Sequence, residues 1–305
     1  MNAKIRQYRE DITARIVQAL EEGTAPWLKP WNGEGAPHNA VTGRKYNGIN
    51  AIVLATTGWN IDGGRDPRWL TFKQAEAKGW NIRKGEHGTR ITFWKPVTVT
   101  KEDAQGEPIL NDEGSPLTKN ILMEKPFTVF HASQVEGIDA YSPAPINAVE
   151  TNEKAERIIE DAGADIRHGG FRAFYHPSED FIQLPPMMYF TDTAGYYATA
   201  LHELVHWTGH KSRLDRDKGG KYGSPSYARE ELVAEIGSML VSCETGIPQT
   251  DEHFKNHAAY ISSWISLLTS DSSAIFKAAS EANKAAEFLL QRERAREAET
   301  VEEVA

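Results

Sequence analysis

His202-Glu203-Leu204-Val205-His206 constrains this chain more than any other stretch. Two histidines four residues apart lie on one face of a helix, one turn from each other. Tyr196 to Thr208 reads as that helix, with Leu201, Leu204 and Val205 to bury its other side. From one face, both imidazoles can converge on a single ion at roughly 2.0–2.1 Å. Glu203 follows His202 directly, within reach of a water at such an ion but not placed as a ligand.

This spacing is the His-Glu-x-x-His pattern of zinc metallopeptidases, in which the glutamate is the general base. A catalytic zinc usually takes three protein ligands and one water. No histidine stands at the metzincin spacing, because Gly209-His210 comes too early. The third ligand must come from another element. Ser226 to Cys243 reads as a strong helix ended by Gly246 and Pro248, and it carries Glu230, Glu231 and Glu235. Leu232, Val233, Ile236, Met239 and Leu240 define its buried stripe. Glu231 and Glu235 share a face, where like charges repel unless a cation or a histidine separates them. Glu231 is assigned as the third ligand. Glu235 is assigned as the partner of a histidine's distal N–H. The exchange of these two roles stays open, as does a pair of merely solvated carboxylates. Tyr222, Tyr227 and His210 are equal candidates for an oxyanion donor. The expected cofactor is one Zn2+ per chain, with another divalent metal as the alternative.

At 305 residues the chain is long enough for about two domains. Tyr141-Ser142-Pro143-Ala144-Pro145 has linker composition and divides it into 1–145 and 146–305. Cys243 is the only cysteine, which excludes an internal disulfide and a thiolate zinc site. A reducing, cytoplasmic setting is therefore expected. Residues 1–22 are charged and amphipathic, without the apolar core of a signal peptide. No stretch reaches the ~18 apolar residues of a membrane span, so no membrane partner is expected.

The first half is read as mixed α/β. Residues 3–22 form a helix stopped by Gly23 and Pro26. Asn50 to Gly58 and Trp69 to Lys78 are shorter helices. Arg90 to Val99 is a strand, and Lys125 to Phe130 is its return across the polar stretch Lys101–Asn120. The second half is read as mostly helical with a small antiparallel sheet. Thr151–Ala162, His257–Leu268 and Ser273–Ala298 are helices, and two short strands lie between Ala173 and Leu184. The fold class is thus α+β.

The net charge of −9 argues against a general polyanion binder. From Arg44 to Lys95, however, ten Lys/Arg stand against four Asp/Glu, and six of the eight tryptophans lie in the first half. Rings alternating with cations suit single-stranded nucleic acid held without sequence reading. The bland alternative is a solvated basic face over a tryptophan-rich core.

Two stretches are more specific. Pro26-Trp27 through Trp31, then Thr42-Gly43-Arg44-Lys45-Tyr46-Asn47-Gly48-Ile49-Asn50, resembles the N-terminal domain of the ArdC antirestriction proteins, which is shared with TraC-type plasmid primases. Ser133-Gln134-Val135-Glu136-Gly137 fits that domain's end. His202–His206 with Glu230–Glu235 is similar to the metallopeptidase half of the same family. The resemblance implies a single-stranded-DNA-binding domain followed by a zincin-like domain similar to the Spartan protease. It also implies protection of plasmid DNA entering by conjugation. On it, Trp27, Trp31, Arg44, Lys45, Tyr46, Asn47 and Asn50 are the DNA-binding residues, and a DNA-associated host protein is the candidate substrate. The alternative is a DNA-binding protective protein whose metal is structural. An intact Glu203 favours the catalytic reading, because a structural site has no use for a base there.

Overall fold

The computed structural model describes residues 3–23, 35–62, 66–103, 105, 107–142, 148–216, 224–247 and 251–304. Helix α1 (Ala3–Glu21) buries Tyr8, Ile12, Ile16 and Leu20, a stripe of one residue per turn. After β1 (His38–Asn39), α2 (Gly48–Asp62) buries Ala51, Ile52, Val53, Leu54 and Ala55. β2 is Arg68–Leu70, and α3 is Phe72–Ala77. The expected helix from Trp69 therefore starts later. Thr71 and Gln74 form a capping box that sets its first turn, while Trp69 and Leu70 pair with His131 and Phe130. β3 (Asn81–Ile82) and β6 (Val135–Glu136) make a separate small pair.

β4 (Thr89–Thr100) and β5 (Thr118–His131) form a long antiparallel arm. β5 is more than twice the length expected, because β4 pairs with it continuously out to Thr100↔Thr118. The sheet order is β1-β2-β5-β4. At its base the arm buries Ile91 and Val129 against Leu54 and Trp69.

The second half consists of α4 (Ala148–Ala162), β7 (Asp165–His168), β8 (Phe174–His176), β9 (Phe181–Leu184), α5 (Thr193–Thr208), α6 (Pro225–Thr245), α7 (Asp251–Ser270) and α8 (Ala274–Val304). The small sheet is mixed rather than antiparallel throughout. Its order is β7-β9-β8, with β7 parallel to β9. β7 escaped notice because Asp165, Arg167 and His168 are polar and exposed, so it carries no apolar alternation.

Among the described residues, the largest hydrophobic core draws on both halves of the chain. Ile12 and Ile16 of α1 and Ile52 of α2 share it with Leu201, Leu204, Leu232 and Trp264. Alanines 278, 279, 282, 285 and 286 give α8 a flat face on which α2, α4 and α6 approach closely. The linker expected near 145 falls at 143–147, outside the described residues.

Candidate metal centre

The centre is built by two capped helices held face to face. Asp192 caps α5, its side chain accepting from Gly195 N at 2.7 Å. Ser224 caps α6, with Pro225 in the first turn, where its missing N–H costs nothing. Gly246 ends α6 in the left-handed conformation, φ 82°. Between the helices, Gly237 of α6 lies against Val205 of α5. A Cβ at Gly237 would stand 2.8 Å from Val205 Cγ1, so only glycine permits this approach.

That closeness sets Glu231 opposite the histidine pair. Its Oε2 is 3.7 Å from His202 Nε2, and its Oε1 is 3.7 Å from His206 Nε2. One donor atom from each of the three residues lies within 4.8 Å of the other two. Two imidazole nitrogens and a carboxylate at this separation fit a single divalent ion between them. Each ring's other nitrogen faces a further carboxylate. His202 Nδ1 is 3.2 Å from Glu235, and His206 Nδ1 is 3.2 Å from Glu230. Both rings are thereby oriented, which is how metal-binding histidines are usually held.

The charge balance also suits a cation. Glu203, Glu230, Glu231 and Glu235 are all buried, and buried carboxylates need partners. Arg216 answers Glu230, with Nη2 to Oε1 at 2.8 Å. It also donates to Val205 O and Thr208 Oγ1, stitching the end of α5 to α6. Gly209 makes room for it, since a Cβ there would meet the guanidinium at 2.8 Å. Burial disfavours charge on both histidines, yet the surrounding carboxylates win. They raise His206 to about 9 and raise His202 well above its ordinary value. Burial pushes the Glu231 carboxyl up, but the two imidazoles beside it hold it far below the usual range. The site stabilises positive charge wherever it is placed.

Glu203 shares with the histidines and Glu231 a cleft of about 760 Å3. Phe174 and Tyr175 of β8 line one wall, and Tyr227 and Tyr260 line another. Of the two oxyanion candidates among the described residues, Tyr227 lines this cleft and His210 does not. The Tyr227 hydroxyl is 3.1 Å from that of Tyr260, and burial raises its phenol so that it stays protonated. His210 turns instead to Ser212 and Asp180, and Tyr222 lies outside the described residues. Sequence reasoning gave no role to Glu230, Arg216 or Tyr260. The signal for Glu230 was a carboxylate on a helix that buries nearly all its sides. Arg216 and Tyr260 carried no local signal, because only the tertiary fold brings them near.

Of the residues expected to contact DNA, four lie together in the fold and Asn50 has its side chain engaged elsewhere. Trp27 and Trp31 lie outside the described residues. Arg44, Lys45, Tyr46 and Asn47 line a cavity of about 380 Å3 that α6 and α8 also wall. Arg44 and Asn47 are exposed, while Lys45 pairs with Glu244 at 2.7 Å. Tyr46 is half-buried against the Leu54–Trp69 cluster, and burial raises its phenol. The Asn50 amide is consumed by the Thr92 backbone, donating at 2.7 Å and accepting at 2.9 Å. In this fold Asn50 ties α2 to β4.

Residues 153–281 match a family of zincin-like metallopeptidases, and residues 6–130 match the N-terminal domain of anti-restriction factor ArdC. The metal-free crystal structure of the antirestriction protein ArdC from plasmid R388 is similar at 37% identity. The likeness covers 93% of this chain and 96% of that one, with a TM-score of 0.75. Its Mn(II)-bound structure is similar at 36% identity and a TM-score of 0.71. Protein y4eC of Sinorhizobium fredii is 36% identical over 92% of this chain and 90% of its own length. A DNA primase TraC of Escherichia coli is 45% identical over 93% of this chain. The chain spans about a quarter of that primase's length, 27%. The fold and the two-histidine, one-glutamate centre are those of an α+β protein with a zincin-like domain. The chain belongs to the ArdC-type antirestriction family. Among the described residues, no helix is long and apolar enough to cross a membrane.

Proposed function

We propose that this protein binds single-stranded DNA and cleaves protein associated with it, through a zinc centre at His202, His206 and Glu231, and so protects plasmid DNA entering by conjugation. The observation that carries the reading is Glu203. It faces the same cleft as the three ligand candidates and takes no part in their ion pairs. A bound divalent ion supplies the Lewis acid that polarises a peptide carbonyl and acidifies water. Glu203 accepts the proton of the attacking water and returns it to the leaving amine. Tyr227 donates its phenolic proton as a hydrogen bond to the oxygen that becomes negative. The outer edge of β8, whose Phe174 and Tyr175 line the cleft, offers an extended peptide a strand to pair with.

The test uses the full chain loaded with zinc. Wild type and Glu203→Gln are incubated with a protein bound to single-stranded DNA, and fragments are counted over time. Glu203→Gln should keep the metal and lose hydrolysis by about two to four orders of magnitude, the usual worth of a general base. Equal turnover by the variant would contradict the mechanism. No turnover by wild type would leave a DNA-binding protein with a structural metal.

A further inference from the structure

The β4–β5 arm has one face that its packing does not explain. Residues directly opposite each other in an antiparallel pair share a face. Phe93 opposes Lys125, Lys95 opposes Met123, Val97 opposes Ile121 and Val99 opposes Lys119. Phe127, opposite Ile91, belongs to the same face. Ile91 is buried at the arm's base, but outward from there the face opens to solvent. Phe93 is 52% exposed and Phe127 41%. Their rings meet edge to face at 6.0 Å, with the Lys125 ammonium 5.7 Å from Phe127's centroid. Lys95, Lys119 and Lys125 are all exposed, and no carboxylate stands on this face. The arm's acids are elsewhere. Glu124 lies on the opposite face, paired with Arg9, while Glu102, Asp103, Glu107, Asp112 and Glu113 occupy the tip.

We infer that this lysine-and-phenylalanine face of the β4–β5 arm is a surface on which single-stranded DNA lies, bases on Phe93 and Phe127 and phosphates along Lys125, Lys95 and Lys119. The inference rests on the proposed DNA binding and names its surface. Charge and shape favour a nucleic acid over a protein. Three cations without a counter-charge suit a polyanion, and exposed rings interleaved with them are the stacking platforms single strands use. Lys125 and Lys119 are six residues apart on one strand, about 20 Å at a strand's rise, so the face is long enough for several nucleotides. The acidic tip repels phosphate and confines the strand to the inner part of the arm. A duplex hides its bases and gains only the lysines.

Binding of the full chain to a fluorescent single-stranded oligonucleotide of about 20 nucleotides, longer than one small binding fold covers, is followed by anisotropy across a salt series. Phe93→Ala with Phe127→Ala should weaken binding at least about fivefold and leave the salt slope unchanged. Lys95, Lys119 and Lys125 replaced together by Ala should weaken binding to every sequence and flatten the logarithmic salt slope by about two. All five side chains are exposed, and matching thermal melts check that the variants fold. If wild type binds and both sets bind as it does, the arm is not the DNA surface, its apolar face is left to a protein partner, and the DNA-binding reading survives. If wild type does not bind single strands at all, that reading fails and takes the inference with it.

Discussion

Asp180 shows how single side chains set the walls of the cleft. It accepts from Tyr175 at 2.8 Å and from Arg213 Nη1 at 3.0 Å, at a turn where its own φ is +55°. Arg213 holds its carboxyl below the usual carboxylate value. A carboxyl lowered in the fold contributes stability that is full above its unfolded value and is lost as pH falls through the folded one. Asp180→Asn should therefore cost up to about 1 kcal/mol at pH 7, allowing for solvent screening. Against wild type, the difference in urea midpoint should shrink as pH drops below about 4. A constant difference across that range would mean that the pair contributes through shape and not charge.

At this same scale the sequence was most informative where chemistry leaves few choices. Two histidines one turn apart with an adjacent glutamate leave little else to be, and a carboxylate on the next strong helix was the natural third partner. The neighbours of the centre were harder to see. Arg216 acts through a place opened by Gly209, and Tyr260 arrives from α7. Neither position has a spacing that links it to the histidines. Tyr46 and Asn50 also take part in contacts that only the fold reveals, Tyr46 packing against the Leu54–Trp69 cluster and Asn50 bonding the Thr92 backbone.

Among elements, the α5–α6 contact decides whether a centre exists. Gly237→Ala sets a methyl 2.8 Å from Val205 Cγ1. Overpacking of that kind costs about 1–3 kcal/mol, and alanine's better helix propensity returns only about 0.5–1 kcal/mol. The variant should melt lower and bind zinc more weakly, because Glu231 lies two turns from the strained contact. Adding Val205→Ala should restore much of both. Unchanged zinc affinity in the single variant would separate the glycine from the site. Helix existence was legible here from apolar periodicity. The start of α3 and the whole of β7 were not, the first because a capping box overrode periodicity and the second because an exposed strand carries no pattern.

Across the whole molecule, the two regions matched by separate families share one core. α1 packs on α7, and α2 packs on α8. Linker composition near residue 145 marked a domain boundary, and composition says nothing of which elements pack across it. Thermal unfolding followed by tryptophan fluorescence and by far-ultraviolet circular dichroism should give one coincident transition. Two separated transitions would mean that α1 and α2 add little to the core around α5 and α6.

The most direct test of the account is zinc content of the full chain after metal removal and titration, wild type beside Glu231→Ala, His206→Ala and Glu235→Ala. Wild type should take up one zinc per chain. Glu231→Ala and His206→Ala should lose most of it, and Glu235→Ala should retain the ion with affinity lowered about 10–100-fold, as for loss of a ligand's hydrogen-bond partner. Full occupancy in Glu231→Ala together with an empty site in Glu235→Ala would contradict the assignment.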